Sequence, residues 1–168
     1  MKTLTIVRHA KAERPEGYAE DAARPLTARG LRDAGRLGEL LARLDPPVDW
    51  WISSPTKRTR QTTEQMIAAA EISVELQWEP AVYEASCDTL LELLSNVPPS
   101  AEHTVLVGHN PGVAELVAGL VAGGPGKLGL HMATGALVQM TLELFWWNQI
   151  RWGCGRLEMM VTPKALKK

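Results

Sequence analysis

The charges of this chain nearly balance. It has 168 residues, with 18 lysines and arginines against 19 aspartates and glutamates, so its formal net charge is −1. A chain of this length can bury a substantial core, and we expect residues 1–168 to form a single domain. The lack of a basic surplus argues against nucleic-acid binding, which needs a positively charged face for the phosphates. Any recognition of phosphate must therefore be local.

The N-terminal segment and the cysteines indicate the compartment. The apolar stretch 3–7 reaches Arg8 after too few residues for a signal peptide or a membrane span. Cys87 and Cys154 have neither the spacing of metal ligands nor the pattern of a disulfide framework. We therefore expect a cytoplasmic protein without a membrane partner.

The first part of the chain predicts a strand, a loop and a helix. Residues 3–7 are mostly apolar and β-branched, which is typical of a strand covered on both faces. Residues 11–24 are charged and predict a loop. Thr27 is predicted to cap a helix whose apolar stripe runs from Leu31 to Leu44.

The next stretch predicts a second strand over 50–53 and a second helix. Ser54 is predicted to cap this helix, with Pro55 at its first position, where a missing N–H costs nothing. The helix would turn an apolar stripe inward over 59–70. Residues 72–77 then alternate between apolar and polar, which predicts a third strand.

A short leucine-rich helix over 90–94 precedes the fourth predicted strand, 104–107. Asn110 and Pro111 repeat the pattern of a capping residue followed by proline, and a helical apolar pattern continues over 113–121.

From Gly135 onward the pattern changes, and 138–144 and 156–161 predict an antiparallel hairpin at one edge of the sheet. Strands that alternate with helices predict an α/β fold. We expect a three-layer α/β/α sandwich around a mostly parallel central sheet with an antiparallel edge hairpin. The tryptophans in this part of the chain are predicted to pack at the hairpin, although they could also dock a partner.

Chemically distinctive residues follow three of the predicted strands. Arg8 and His9 follow the first strand, Arg58 lies in the helix after the second, and His109 follows the fourth. In an open α/β sheet, ligands bind in the crevice outside the carboxyl ends of the strands. Two guanidinium groups and two imidazoles in one crevice suit a phosphoryl group and a nitrogen nucleophile that attacks it.

Each of these residues has a plausible role in such a site. A neutral His9 attacks through one ring nitrogen while the other is held protonated, and the adjacent Arg8 disfavours the imidazolium form. The guanidinium forks of Arg8 and Arg58 can bind phosphoryl oxygens. His109 can donate a hydrogen bond to the transferring oxygens. His103 and His131 lack a motif and are predicted to face solvent.

The segments around these residues resemble known motifs. Arg8-His9-Ala10 resembles the first motif of the histidine phosphatase superfamily, which includes phosphoglycerate mutases and acid phosphatases, although many members have glycine in place of Ala10. The segment 53–62, SSPTKRTRQT, resembles the second motif, with Arg58 as the phosphate-clamping arginine. The segment 108–111, GHNP, resembles the one that carries the second histidine.

Other segments resemble the SixA-type phosphohistidine phosphatases, and together the matches span nearly the whole chain. These segments are 24–27 followed by Gly30, 82–85, 132–135 and 162–164. The resemblance implies a phosphoglycerate mutase-like fold and a metal-free, cofactor-free phosphatase. It also implies that His9 is the nucleophile, that Arg8 and Arg58 bind phosphate, and that His109 contacts the oxyanion.

The proton donor is open between Glu84, which lies near the position of the acid in larger relatives, and Glu79. A phosphohistidine substrate has less need of such an acid, because imidazole, with a reference pKa of about 6.5, leaves more easily than an alkoxide. The segment between Arg58 and His109 is too short for a lid domain, so we expect an open crevice.

The sequence therefore predicts a protein phosphohistidine phosphatase that acts on a phosphorylated protein, and the SixA resemblance implies a histidine-containing phosphotransfer domain. Three alternatives remain open: a small-molecule phosphomonoester phosphatase of the same superfamily, an inactive phosphate-binding module, and a metal hydrolase that uses His9 and His109.

Overall fold

A mixed sheet flanked by helices forms the core of the computed structural model, which describes residues 1–168. The strands are β1 (Lys2–Arg8), β2 (Trp50–Ser53), β3 (Glu75–Trp78), β4 (His103–Gly108), β5 (Leu137–Leu142) and β6 (Gly155–Val161). The helices are α1 (Ala28–Leu41), α2 (Lys57–Ala70), α3 (Cys87–Ser95) and α4 (Gly112–Ala122). The six strands lie in the order β3-β2-β4-β1-β5-β6.

The strand directions confirm the predicted fold class. β1 pairs with β4, β4 with β2, and β2 with β3, all in parallel. β5 runs antiparallel to β1, and β6 antiparallel to β5, which forms the edge hairpin. The sheet is therefore mostly parallel, with its antiparallel part at one edge.

Both faces of the sheet are covered, as a parallel sheet requires. In β1 the side chains of Leu4 and Ile6 lie in a hydrophobic cluster with residues of α3 and α4. Val7 points to the opposite face and lies in a second cluster with residues of α1 and α2. This alternation along one strand places the helices in two layers around the sheet. None of the helices is both long enough and apolar enough to cross a membrane.

Two of the predicted helix caps are wrong. α2 begins at Lys57 and α4 at Gly112, later than predicted, and neither has a side-chain cap hydrogen bond. The Ser54 hydroxyl is instead a partner of an imidazole described below. The Asn110 amide donates a hydrogen bond to the Met132 carbonyl, with 2.9 Å between nitrogen and oxygen. Both residues follow the end of a strand, and their side chains form hydrogen bonds with groups of the crevice. The sequence pattern of a helix cap does not distinguish such a residue from a true cap.

The predicted Thr27 cap is confirmed, because its hydroxyl accepts a hydrogen bond from the Gly30 amide at 3.0 Å. The third strand is shorter than predicted. β3 covers only Glu75–Trp78 because β2, its only neighbour in the sheet, offers just four pairing residues.

The expectation that His103 faces solvent is wrong. Its side chain is 0% exposed at the start of the central strand β4. Its Nδ1 donates to the Pro46 carbonyl at 2.6 Å, so Nε2 accepts a hydrogen bond from the Thr5 hydroxyl at 2.8 Å. His103 is therefore a hydrogen-bonded core residue, whereas His131 is exposed as expected.

The tryptophans near the hairpin are divided between core and surface. Trp147 is fully buried, and its indole N–H donates to the Ala101 carbonyl at 2.8 Å. The neighbouring Trp146 is 54% exposed. The predicted packing role is therefore confirmed for Trp147.

Two glycines of α1 allow a direct test of how α1 packs on α2. A Cβ at Gly38 would overlap the carbonyl oxygen of Met66 in α2, whereas a Cβ at Gly35 would meet nothing within 4 Å. Gly35→Ala is expected to raise the free energy of unfolding by about 0.5–1 kcal/mol, because alanine is the better helix former. Gly38→Ala is expected to lower it by about 1–3 kcal/mol through overpacking. Urea unfolding of both variants checks this, and similar effects of the two substitutions would contradict the close contact between the helices.

Candidate active site

The structure brings the four predicted site residues together at the carboxyl ends of three adjacent strands. In the parallel registers Arg8 of β1 is opposite Gly108 of β4, and Ser53 of β2 is opposite Val107 of β4. The residues that follow these strands therefore meet at one edge of the sheet. The ring centroids of His9 and His109 lie 5.4 Å apart.

His9 is held in one tautomer with a free nitrogen. Its side chain is 7% exposed, and its Nδ1 lies 2.8 Å from the carbonyl oxygen of Ala10. Because a carbonyl can only accept, Nδ1 carries the proton and Nε2 keeps its lone pair. Burial, and to a smaller extent the charges of Arg58 and Arg8, lower the pKa of His9 to about 4. The imidazole is therefore neutral at pH 7 and has the form that a nucleophile needs.

Arg8 and Arg58 present buried donors that the protein does not use. Arg8 donates through Nη1 to the Met132 carbonyl at 3.0 Å, and burial, followed by repulsion from Arg58, lowers its pKa. Arg58 is 4% exposed. The Nε atoms of both guanidinium groups are buried without a hydrogen-bond partner in the protein. Buried N–H groups normally have partners, so these two unpaired cationic donors favour the binding of an anion close to them.

His109 has the opposite tautomer to His9. Arg58 can only donate, so His109 Nδ1 accepts from Arg58 Nη2, with 3.3 Å between the nitrogens. The proton of the neutral ring is therefore on Nε2, which donates to the Ser54 hydroxyl at 2.9 Å. Burial, followed by interactions with His9 and Arg58, lowers the pKa of His109 to about 3. To contact a phosphoryl oxygen, the Nε2–H of His109 would have to exchange Ser54 for that oxygen.

The backbone around His9 is fixed from two sides. The amide of Gly135 donates to the carbonyls of Arg8 and His9, at 3.1 and 2.9 Å. On the other side the amide of Ala10 donates to the hydroxyl of Thr62 in α2 at 3.1 Å. Gly135 and Thr62 lie in the segments 132–135 and 53–62, which resemble motifs of the family. Through these hydrogen bonds both segments hold the backbone of His9 in place.

The sequence reasoning missed Asp21 and Tyr83. Asp21 lies in the segment predicted as a charged loop, and its carboxylate accepts hydrogen bonds from Arg58 Nη2 at 2.8 Å and from the Tyr83 hydroxyl at 2.7 Å. The Tyr83 ring lies 5.4 Å from the His109 ring, centroid to centroid, and the bond to Asp21 raises the pKa of Tyr83 to about 12. Tyr83 lies in the matched segment 82–85, but nothing in the sequence gave it a role. The only signal for Asp21 was the charged segment before Arg24-Pro25, whose fold brings it back over α2.

The two candidate proton donors lie in different surroundings. Glu79 accepts hydrogen bonds from the Ala81 amide and the Gln77 side chain, so its carboxylate stabilises a turn. Glu84 is exposed and lines a groove of about 370 Å³ together with His109. Its backbone is in the left-handed region, with φ of 55°. Of the two, only Glu84 borders the crevice.

The two imidazoles provide a test of the site's electrostatics. We expect His9 and His109 to remain neutral at pH 5, because their pKa values are lowered to about 4 and about 3. Nitrogen-15 spectra should show a protonated Nδ1 in His9 and a protonated Nε2 in His109. Protonation of either ring near the reference pKa of about 6.5 would contradict the described environment.

The same lowered values predict the pH dependence of stability. Unfolded histidine binds a proton below a pH of about 6.5, whereas folded His9 does so only near 4. The unfolded state therefore binds more protons in this window, and the free energy of unfolding falls as the pH drops from 6.5 toward 4. Urea unfolding at pH 7 and pH 5 checks this direction.

Comparison with known proteins agrees with the geometry. The sequence model of the histidine phosphatase superfamily (branch 1) matches residues 4–125. This is more than half of the chain, and the chain belongs to that superfamily. An uncharacterised protein of Mycobacterium tuberculosis is 34% identical to this chain over 110 residues. The match covers 66% of this chain and 66% of that protein, which is slightly less than two thirds of each.

Solved structures extend the likeness to nearly the whole chain. The structure of a candidate phosphohistidine phosphatase SixA from Nakamurella multipartitia has a TM-score of 0.83 and 28% identity to this chain, with 96% of both chains covered. The protein histidine phosphatase SixA in complex with tungstate has a TM-score of 0.82 at 23% identity, covers 98% of this chain and 99% of its own, and shows the shared fold. These findings confirm the SixA-type resemblance. They also support the classification of this protein as a phosphatase, which is a hydrolase.

Proposed function

We propose that this protein is a protein phosphohistidine phosphatase that forms a phosphohistidine intermediate on His9. The observation that carries the proposal is the pair of buried, unpartnered Nε–H groups of Arg8 and Arg58 beside a neutral imidazole. Two cationic donors without protein partners suit a phosphoryl group, and a free His9 Nε2 beside them suits attack on its phosphorus.

The reaction proceeds in two displacements. His9 Nε2 attacks the phosphorus, a new P–N bond forms, and the bond from phosphorus to the substrate's leaving atom breaks. Arg8 and Arg58 hold the phosphoryl oxygens, and His109 donates its Nε2–H to one of them in place of Ser54. Water then attacks the phosphorus of phospho-His9, which releases inorganic phosphate and restores the imidazole.

The acids near the site favour a leaving group that departs without a strong proton donor. Burial by itself would raise the pKa of Asp21, but hydrogen bonds from Tyr83, Arg24 and Arg58 outweigh this and hold it well below its usual range. Asp21 therefore has no proton to give at pH 7. The imidazole of a phosphohistidine leaves more easily than an alkoxide, with a reference pKa of about 6.5.

This argument predicts a small role for Glu84. Glu84→Gln removes the only carboxyl group that lines the groove beside His109 apart from Glu115. On a phosphohistidine substrate we expect kcat to stay within about threefold of the wild type, because the leaving imidazole needs little assistance. A loss of about 100-fold or more would assign Glu84 as the general acid.

We propose that the substrate is a phosphorylated protein, in particular a histidine-containing phosphotransfer domain. The chain between Arg58 and His109 holds the rest of α2, then β3, α3 and β4, and no lid domain. The groove beside His109 opens between Glu84 and Glu115, so a side chain presented on another protein can approach it. The likeness to SixA proteins supports the same class of substrate.

We further propose that the reaction is independent of metal ions and cofactors. No group of three or more histidine, cysteine, aspartate or glutamate side chains is arranged to hold a metal ion. Zinc hydrolases use three such ligands. Full activity in the presence of a strong chelator is the expected result, and loss of activity that added metal restores would support a metal hydrolase.

The substrate proposal is tested by comparing kcat/KM for a phosphorylated histidine phosphotransfer domain with that for sugar phosphates. We expect the phosphohistidine protein to be preferred by at least about 100-fold, since it offers the better leaving group and a docking surface. A preference for a sugar phosphate would make the protein a small-molecule phosphatase. Binding of phosphate without any turnover would make it a binding module.

A further inference from the structure

Asp21 is the centre of a hydrogen-bond network at the edge of the crevice. Its carboxylate accepts from Arg58 Nη2 at 2.8 Å, from the Tyr83 hydroxyl at 2.7 Å and from Arg24 Nε at 2.9 Å. Its own backbone carbonyl accepts from Arg58 Nη1 at 2.9 Å. Three side chains from separate parts of the chain thus converge on one residue of the segment before α1.

The bonds to Asp21 fix the plane of the Arg58 guanidinium. One edge of the group, formed by Nη1 and Nη2, lies against the backbone carbonyl and the carboxylate of Asp21. This two-point contact prevents rotation about the end of the side chain. It leaves the buried Arg58 Nε–H free of protein partners.

The network extends from Arg58 to His109. The second N–H of Arg58 Nη2 points to His109 Nδ1, which puts the proton of His109 on Nε2. The chain of contacts is therefore Asp21, Arg58, His109 and Ser54. A substitution of Asp21 would therefore change the hydrogen bonding of His109 through Arg58, although the side chains of Asp21 and His109 are not bonded to each other.

Asp21 also sets the charge of the crevice. Hydrogen bonds from Tyr83, Arg24 and Arg58 keep the carboxylate ionised despite the opposing effect of burial. Its negative charge offsets part of the positive charge of the arginines. An anion in the crevice is therefore attracted less strongly than it would be without Asp21.

We propose that Asp21 is a positioning residue of the phosphatase site, which orients Arg58 toward the phosphoryl group and fixes the tautomer of His109 without touching the substrate. This inference rests on the proposed function, because it takes Arg58 and His109 as phosphoryl-binding groups. Loss of the positioning contacts should lower kcat, whereas loss of the negative charge should strengthen the binding of an anion. These opposite effects on kcat and on phosphate affinity distinguish a positioning role for Asp21.

Asp21→Asn keeps the shape of the side chain and removes its charge. Arg58 is then held less firmly, so we expect kcat to fall by at least about tenfold through misalignment in the transition state. The site also becomes more positive, so inorganic phosphate, used as a competitive inhibitor, should bind as tightly as to the wild type or more tightly. The His109 nitrogen-15 signals should lose the pure Nε2–H tautomer.

Glu20→Gln provides the matched control. Glu20 is the neighbouring residue, it is exposed, and its side chain makes no cap hydrogen bond, yet the substitution changes the charge by the same amount. We expect it to leave kcat and the His109 spectrum unchanged.

Tyr83→Phe removes one hydrogen bond to Asp21 without any change of charge. We expect it to lower kcat less than Asp21→Asn does. Thermal unfolding of each variant shows that the fold is retained.

Two outcomes would overturn the positioning role. One is a kcat for Asp21→Asn within about threefold of the wild type together with unchanged His109 signals. The other is a parallel loss of kcat and phosphate affinity, which would indicate collapse of the whole site. If the wild type hydrolyses no phosphohistidine, the proposed function fails, whereas the phosphate-binding and His109 measurements still decide the role of Asp21.

Discussion

His9→Gln is expected to reduce turnover of a phosphohistidine substrate by about 10⁴-fold or more, because it removes the nucleophile. Glutamine has a side chain of similar polarity, but its amide nitrogen has no lone pair available for attack on phosphorus. The His9 side chain is buried, and its Nδ1 bonds the Ala10 carbonyl at 2.8 Å. The amide N–H of glutamine can donate to the same carbonyl, so the fold should tolerate the change. Stopped reactions with a phosphorylated phosphotransfer domain measure the loss.

The same experiment detects the covalent intermediate. Wild-type protein mixed with labelled substrate and quenched rapidly should carry acid-labile phosphate, and His9→Gln should carry none. His131→Gln is the matched control, since His131 is exposed and has no part in the site. Labelled phosphate on the His9→Gln protein would mean that another residue is the nucleophile, and equal losses in the two variants would exclude a specific role for His9.

Arg58→Lys is expected to lower kcat/KM by at least about 100-fold although the charge is conserved. The guanidinium of Arg58 bonds Asp21 through two nitrogens and His109 through one of them, while its buried Nε–H has no partner in the protein. A lysine ammonium is a single point charge and cannot make all of these contacts at once. Loss of an oriented donor to the transition state has an effect of this size.

Arg60→Lys is the matched control for Arg58→Lys, because it shows whether replacing any arginine of α2 lowers kcat/KM. Arg60 lies on the same helix, and its guanidinium carbon is 4.1 Å from the centroid of the Trp78 ring. Its substitution should change stability by about 0.5–1 kcal/mol and leave kcat/KM within about threefold. If Arg60→Lys and Arg58→Lys lost activity equally, the specific role of Arg58 would be contradicted.

Local patterns in the sequence were sufficient to predict the sheet and the meeting of the four candidate residues. The apolar strands before Arg8, Ser53 and His109 are parallel neighbours, so their carboxyl ends lie at one edge of the sheet. The short spacing between each strand and its helix then left little freedom for the residues at these ends. The strands and helices themselves could be predicted because apolar residues recur at every second position in strands and form a stripe along one face of each helix.

Contacts between distant parts of the chain could not be predicted in this way. Asp21 reaches Arg58 and Tyr83 through the fold of the 11–24 segment, which has no regular pattern of its own. Ser54 and Asn110 have the sequence signature of helix caps, yet tertiary partners take their side chains. His103 is buried because the first residue of β4 lies under the Pro46 carbonyl, a contact 57 residues apart in the chain.

The most direct test of the proposed site is a crystal structure of the protein grown with vanadate, which mimics a phosphoryl group in transfer. We predict that the metal atom of the oxyanion lies against His9 Nε2, with its oxygens bound by Arg8 and by the Nε–H of Arg58, and that His109 turns its Nε2–H from Ser54 to the anion. Vanadate bound elsewhere, or a His9 ring whose Nε2 points away from the bound anion, would contradict the account.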